Sequence, residues 1–187
     1  MKLRQYYKLK FEPDEKKNSS GIVYFPKTMN MFWAHDGREI TIDISDMIFP
    51  IKDGEFADLL SANLTLRIYS LKLRTIIDSF LTSIDNPKWI PIKIQTEDSA
   101  EIREYFILHF GTQPDVLDYE KTRYADAKRK IITKAMYDVQ KIGDRHIFTY
   151  KEYGNLTIVS AKLRKAIIDA SCSGIYFYDV LSPGKLV

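Results

Sequence analysis

The sequence predicts an α+β fold, with mixed or antiparallel sheets and amphipathic helices packed on them, arranged as two related strand–helix–strand units. Three observations lead there. Several segments alternate apolar and polar residues with a period of two, as half-buried strands do. Glu104 to Phe110 is nearly all apolar and reads as a central strand. Two segments opened by a serine carry apolar residues at helical spacing: Leu73, Ile76, Ile77, Phe80 and Leu81 after Ser70, and Leu163, Ala166, Ile167 and Ala170 after Ser160.

Along the chain, residues 1–11 form the first expected strand, with Tyr7, Leu9 and Phe11 alternating with charges. Glu12 to Gly21 is a charged loop, and Ile22 to Phe25 a short apolar run stopped by Pro26. Met29, Met31, Phe32 and Trp33 follow without a clean period, and Asp36-Gly37 makes a turn. Glu39 to Ile44 alternates strictly and reads as a half-buried strand. Pro50 to Gly54 is expected to be a turn, and Glu55 to Leu60 a short helix or loop.

The second half is more regular. Leu64 to Tyr69 is a strand, and Ser70 stands where its hydroxyl can accept a hydrogen bond from the first helical turn. The helix must end before Asn86-Pro87, because proline disfavours a helical residue ahead of it. Ile90, Ile92 and Ile94 alternate as a strand. Lys130 to Tyr137 is a strand, with a helix from Asp126 as the competing reading, and Ile147 to Tyr150 is another strand. Leu156 to Val159, the cap Ser160, its helix, and Ile175 to Tyr178 repeat the earlier order, with Gly174 placed for a left-handed helix stop. The repeat aligns without a gap: Ser70-Leu71-Lys72-Leu73-Arg74 faces Ser160-Ala161-Lys162-Leu163-Arg164.

Composition narrows the function classes. The chain has 187 residues, 45% hydrophobic and 13% aromatic, with 28 Lys and Arg against 25 Asp and Glu, a net charge of +3. That is too apolar and too balanced for a disordered chain. A single cysteine, Cys172, rules out a disulfide scaffold. Short apolar runs and no hydrophobic stretch behind Met1-Lys2-Leu3-Arg4 point to a soluble cytoplasmic protein without membrane partners. The length suits one globular domain, residues 1–187, or two intimate lobes, 1–60 and 61–187.

Candidate chemistry is sparse. His35, His109 and His146 are not spaced as metal ligands, and His109 sits inside an apolar strand. No nucleophile elbow, phosphate-binding glycine loop or dinucleotide fingerprint occurs. Cys172, at a helix end, reads as a small buried thiol. No catalytic residue, metal or cofactor is expected. Glu97, Asp98, Glu101 and Glu104 form an acidic stretch between two strands, either solvated or a docking surface for a basic partner. Methionine and aromatic residues are enriched at interfaces as well as in cores. The candidate partner-binding residues are therefore Phe32, Trp33, Glu97, Asp98 and Glu101. Between Asp118 and Lys165 twelve basic residues stand against six acidic ones, densest at Lys128-Arg129-Lys130.

A family pattern runs through the second half: Val116 to Thr122, the strand Ile131 to Tyr137 with Asp138, Lys141-Ile142-Gly143, His146-Ile147-Phe148, Leu156 to Arg164 and Ser173 to Phe177. This order resembles the immunity proteins of bacterial polymorphic-toxin systems, in the family numbered eleven, a former domain of unknown function, and its sister family numbered forty-three. Thr122 replaces that family's usual serine, and Ala161 stands where an acidic residue often follows the helix-start serine. The resemblance covers roughly residues 60–187; residues 1–60 carry no such pattern. It implies a cytoplasmic antidote that binds a cognate toxin and blocks its active site, without chemistry of its own. The alternative is a nucleic-acid-binding accessory protein using the basic residues 121–165, which the balanced charge disfavours. No oligomeric state is selected.

Overall fold

The computed structural model describes residues 5–11, 20–29, 43–64, 66–128, 131–151 and 153–180. In chain order they form β1 (Tyr6–Phe11), β2 (Ile22–Val23), β3 (Ile48–Asp53), β4 (Leu59–Ala62), β5 (Arg67–Ser70), α1 (Leu71–Asp78), β6 (Pro87–Thr96) and β7 (Ile102–Phe110). There follow β8 (Arg123–Tyr124), β9 (Ile132–Lys134), α2 (Val139–Ile142), β10 (Ile147–Tyr150), β11 (Tyr153–Ser160), α3 (Ala161–Asp169) and β12 (Ile175–Asp179). The fold is α+β and rich in sheet, as the strand periodicity predicts.

Strands β2-β3-β6-β7-β5-β4 close into a barrel. It is mixed, because β2 runs parallel to β4 and β3 parallel to β6 while the other pairs are antiparallel. Closure gives each of these strands a hydrogen-bonded neighbour on both sides. Phe49 and Ile51 of β3, Ile92 and Ile94 of β6, and Tyr105 and Ile107 of β7 fill the interior. Strands β10-β11-β1-β12 form a separate antiparallel sheet, with β1 between β11 and β12. Both faces of that sheet are covered. Tyr7, Leu9, Val159 and Phe177 meet Leu73 and Ile77 of α1, Leu163 and Ile167 of α3, and Leu108 and Phe110 of the barrel. Tyr6, Phe148, Tyr150 and Ile158 pack on the other side against Val116, Leu117 and Ile142. Burial on two faces explains why Ile147-Phe148-Thr149-Tyr150 is apolar almost throughout rather than alternating.

The two serine-capped segments are built alike. Ser70 Oγ accepts from Leu73 N at 3.1 Å, and Ser160 Oγ accepts from Leu163 N at 3.2 Å. In each segment the strands on either side of the helix flank a third strand that lies antiparallel to both: β7 between β5 and β6, β1 between β11 and β12. With the preceding strand, the orders β4-β5-β7-β6 and β10-β11-β1-β12 correspond. The guanidinium of Arg74 lies over Trp89 and Phe106, and that of Arg164 over Phe177 and Tyr7, in each case one ring from the following strand and one from the middle strand.

Several expectations are corrected. The segment expected as a turn, Pro50 to Gly54, is mostly strand β3. Proline removes a ladder donor, but the pairing of β3 with the two-residue β2 is short and shifts register, so the loss is tolerated there. Glu55 to Leu60 is not a helix, and Leu59 opens β4. Lys130 to Tyr137 shortens to Ile132–Lys134, and the helix from Asp126 is absent from the described residues there. Helix α1 ends at Asp78, leaving Phe80 and Leu81 beyond it. The left-handed residue that stops α3 is Ser171, at φ 51°. Gly174, at φ 75°, instead turns the chain into β12, where a Cβ would stand 2.5 Å from the Leu59 carbonyl oxygen. Of the expected strand Glu39 to Ile44, residues 39–42 lie outside the described residues.

Candidate functional site

Among the described residues, one part of the barrel's outer face is covered by helix α1 and another part is exposed. Helix α1 and Arg74 lie over Trp89 and Phe106. Further along the same strands, two cross-strand rows face outward, and their Ile48 and Ile102 are each 47% exposed. One row is Ile48, Lys93 and Glu104; the other is Pro50, Gln95 and Ile102. Their outward direction follows from the pleat, because Phe49, Ile51, Ile92, Ile94 and Tyr105 point into the barrel.

The turn between β6 and β7 brings the acidic candidates to the end of these rows. Glu97, Asp98 and Glu101 are all exposed there. The turn is braced: Gln95 Nε2 donates to the Ser99 carbonyl at 3.0 Å, and Ser99 Oγ accepts from Glu101 N at 3.0 Å. Glu101 accepts a charge-assisted bond from Arg103 Nε at 2.7 Å, which holds its carboxyl below the usual range. The Arg103 guanidinium lies 4.1 Å from the centre of the Phe56 ring, which stacks on Tyr105. Burial pushes the Tyr105 hydroxyl up to about 12, and it donates to the Ala57 carbonyl at 2.9 Å. Lys93 pairs with Asp46 at 3.0 Å. Glu97, Asp98 and Glu104 form no ion pair among the described residues.

Two hollows adjoin along β3 and share Ile48 and Pro50. One, of about 430 Å³, lies between Ile48, Pro50, Gln95, Thr96 and Glu97. The other, of about 580 Å³, is lined mainly by Tyr24, Phe25, Pro26, Met47 and Phe49 with Lys27 and Lys52 at its rim. The structure thus joins Glu97, Asp98 and Glu101 to an apolar surface that the sequence reading did not assign. The turn expected over Pro50 to Gly54 hides Pro50, and no element is expected at Ile48, although the alternation of both with the buried Phe49 and Ile51 carries the signal. Phe32 and Trp33 lie outside the described residues.

Several other polar side chains are engaged in the fold. Asp58 Oδ1 accepts from Ser70 Oγ at 2.7 Å, and its Oδ2 accepts from Ser173 N at 2.9 Å. Burial and the nearby Asp58 charge, against Lys72, push the half-buried Cys172 thiol up, away from the reactive thiolate. His146 Nδ1 shares a 2.7 Å hydrogen bond with Ser160 Oγ, and His109 is buried in β7. His35 lies outside the described residues. Among the described residues no group of three or more His, Cys, Asp and Glu could hold a metal ion, and no helix is long and apolar enough to cross a membrane. In the basic region, Lys121 pairs with Asp118, Arg145 with Asp85 and Lys165 with Asp169, while Lys141 donates to the Leu117 carbonyl.

No curated protein matches the chain. The profile of an immunity protein family, Imm11, matches residues 6–182, so the family pattern that the sequence reading placed from about residue 60 onward extends over nearly the whole chain.

Proposed function

Because the chain belongs to the immunity protein family Imm11, we propose that it is a cytoplasmic antidote of a bacterial polymorphic-toxin system, binding its cognate toxin domain and blocking the toxin's active site. The family match is the observation that carries this reading. The molecule performs no catalysis in this role; it needs a stable scaffold and one complementary surface. A closed barrel and a sheet with two buried faces suit the scaffold, and the exposed part of the barrel's outer face suits the surface. The matching strand orders and caps support reading the two strand–helix–strand units as related copies. The core that α1 and α3 share with the barrel and the sheet supports one globular unit over residues 1–187.

Co-expression tests the function. Cells producing the toxin domain encoded beside this chain's gene should grow when the chain is co-produced and die when it is not. Undiminished killing by every neighbouring toxin domain, with the chain present and folded, overturns it. A nucleic-acid-binding role for residues 121–165 has less support, because Lys121, Lys141, Arg145 and Lys165 are engaged within the chain. Retardation of DNA or RNA at low salt, fading steeply as salt rises, would revive it.

A further inference from the structure

We propose that the exposed part of the barrel's outer face, with Ile48 and Ile102, is the toxin-docking surface, and that the hollow between Ile48, Pro50 and Glu97 receives an arginine or lysine from a basic patch of the toxin. This rests on the function proposed above and assigns it a place and a partner chemistry.

The hollow has two kinds of wall. Ile48 and Pro50 present apolar surface on one side, and Glu97 stands on the other, with Gln95 and Thr96 between. A long basic side chain suits that division, because its methylene stem packs on apolar surface while its charged head reaches the carboxylate. Arginine suits it best, since its planar fork can meet a carboxylate through two bonds. Arginine is also among the residues most enriched at binding hot spots. The second isoleucine, Ile102, extends the apolar surface two strands away.

Charge selects a basic partner. Around the face and its two hollows stand Asp46, Glu97, Asp98, Glu101 and Glu104, opposed by Lys27, Lys52, Lys93 and Arg103. Lys93 and Arg103 are already paired with Asp46 and Glu101, and Lys52 lies over the Tyr24 ring at 5.3 Å, towards the other hollow. Three carboxylates remain for a partner, Glu97, Asp98 and Glu104, on a chain whose net charge is +3. The face is negative against a positive whole, so it steers a basic surface towards itself and repels phosphate backbones.

The test uses the full chain and, as probe, a catalytically inactive form of the toxin domain encoded beside its gene. Affinities are measured at low and high salt for wild type, Glu97→Gln, Ile48→Lys, Ile102→Lys and Ile131→Lys, with circular dichroism confirming that each variant folds. Ile131 is an exposed isoleucine between β8 and β9, outside the two rows, and serves as control. Glu97→Gln should bind about 10-fold more weakly and with a shallower salt dependence, since one charge pair is removed. Ile48→Lys and Ile102→Lys should each bind about 100-fold more weakly, and Ile131→Lys like wild type. If wild type binds and all three face variants bind equally well, the surface is wrong and the function stands. If wild type binds no neighbouring toxin domain, the function falls and the surface with it. A wild-type dimer in sedimentation that Ile48→Lys dissociates makes a second copy the occupant, and that also overturns the proposal.

Discussion

Ser70 and Ser160 start their helices with the same geometry but are anchored by opposite chemistry. Each backbone amide donates to a carbonyl on the strand side, Asp58 for Ser70 and His146 for Ser160. The side chain of that same residue then meets the serine hydroxyl: a carboxylate in one unit, an imidazole in the other. Each anchor also reaches across. Asp58 accepts from Ser173, beyond α3, and the His146 ring packs edge-on at 5.3 Å against Phe80, beyond α1. The cap is therefore a local device that either unit could use alone, whereas its anchor fastens that unit to the other.

The most severe test of the correspondence truncates a fully buried leucine in each helix. Leu73→Ala and Leu163→Ala both empty space in the core shared by the two layers, and each should lower stability by about 2–5 kcal/mol in urea unfolding. Similar losses support matched roles; a large difference means that one unit relaxes around its cavity and the other cannot.

The turns that follow the helices should respond unequally. Gly174 and Asn86 both have positive φ and both precede the next strand of their unit. Gly174→Ala adds a Cβ against the Leu59 carbonyl and the Ser20 hydroxyl, so thermal unfolding should show a loss well above about 1 kcal/mol. Asn86→Gly relieves left-handed backbone instead, and its effect should stay within a few tenths of a kcal/mol.

Removing the caps should cost less. Ser160→Ala is expected to lose about 1–2 kcal/mol, and Ser70→Ala about 1 kcal/mol, by chemical denaturation. Ser160 is the more buried of the two, so its truncation leaves the Leu163 amide with less access to water. Asp58 keeps Ser173 and Lys72 when Ser70 is truncated. Equal losses would show that burial of the capping serine does not matter.

The smallest effect is expected in the acid limb. Burial raises the Asp58 carboxyl, but hydrogen bonds from Ser70 and Ser173 and the Lys72 charge outweigh it and hold it below the usual range. A depressed carboxyl contributes its stability above the unfolded value, about 3.9, and loses it as pH falls through the folded value. Unfolding measured from neutral to acid pH should therefore show a loss below about pH 4. Asp58→Asn should be less stable at neutral pH and flatter across that window.

Where a feature depends on a few neighbouring residues, it was legible in the sequence. Ser70 and Ser160 could be read as caps because the hydroxyl, the first-turn amide and the apolar stripe lie within a few residues. The 147–150 strand could be read because its continuous apolar character reflects two buried faces. The acidic turn at 97–101 was visible as a charged interruption between strands. Its value as part of a surface was not, because Ile48 and Pro50 reach it only through the parallel pairing of β3 with β6.

The amino-acid order determined the helix starts, the alternation of most strands, the α+β class and the family pattern, because each rests on local backbone chemistry or a fixed spacing. Only the tertiary structure decided that six strands close into a barrel and that β1 enters the sheet formed by the last strands of the chain. It also decided which part of the barrel face α1 covers. Those outcomes depend on pairings between distant strands, Tyr7 with Val159 or Ile48 with Lys93, where many registers satisfy the same local pattern. The choice among them belongs to the packing of the whole core.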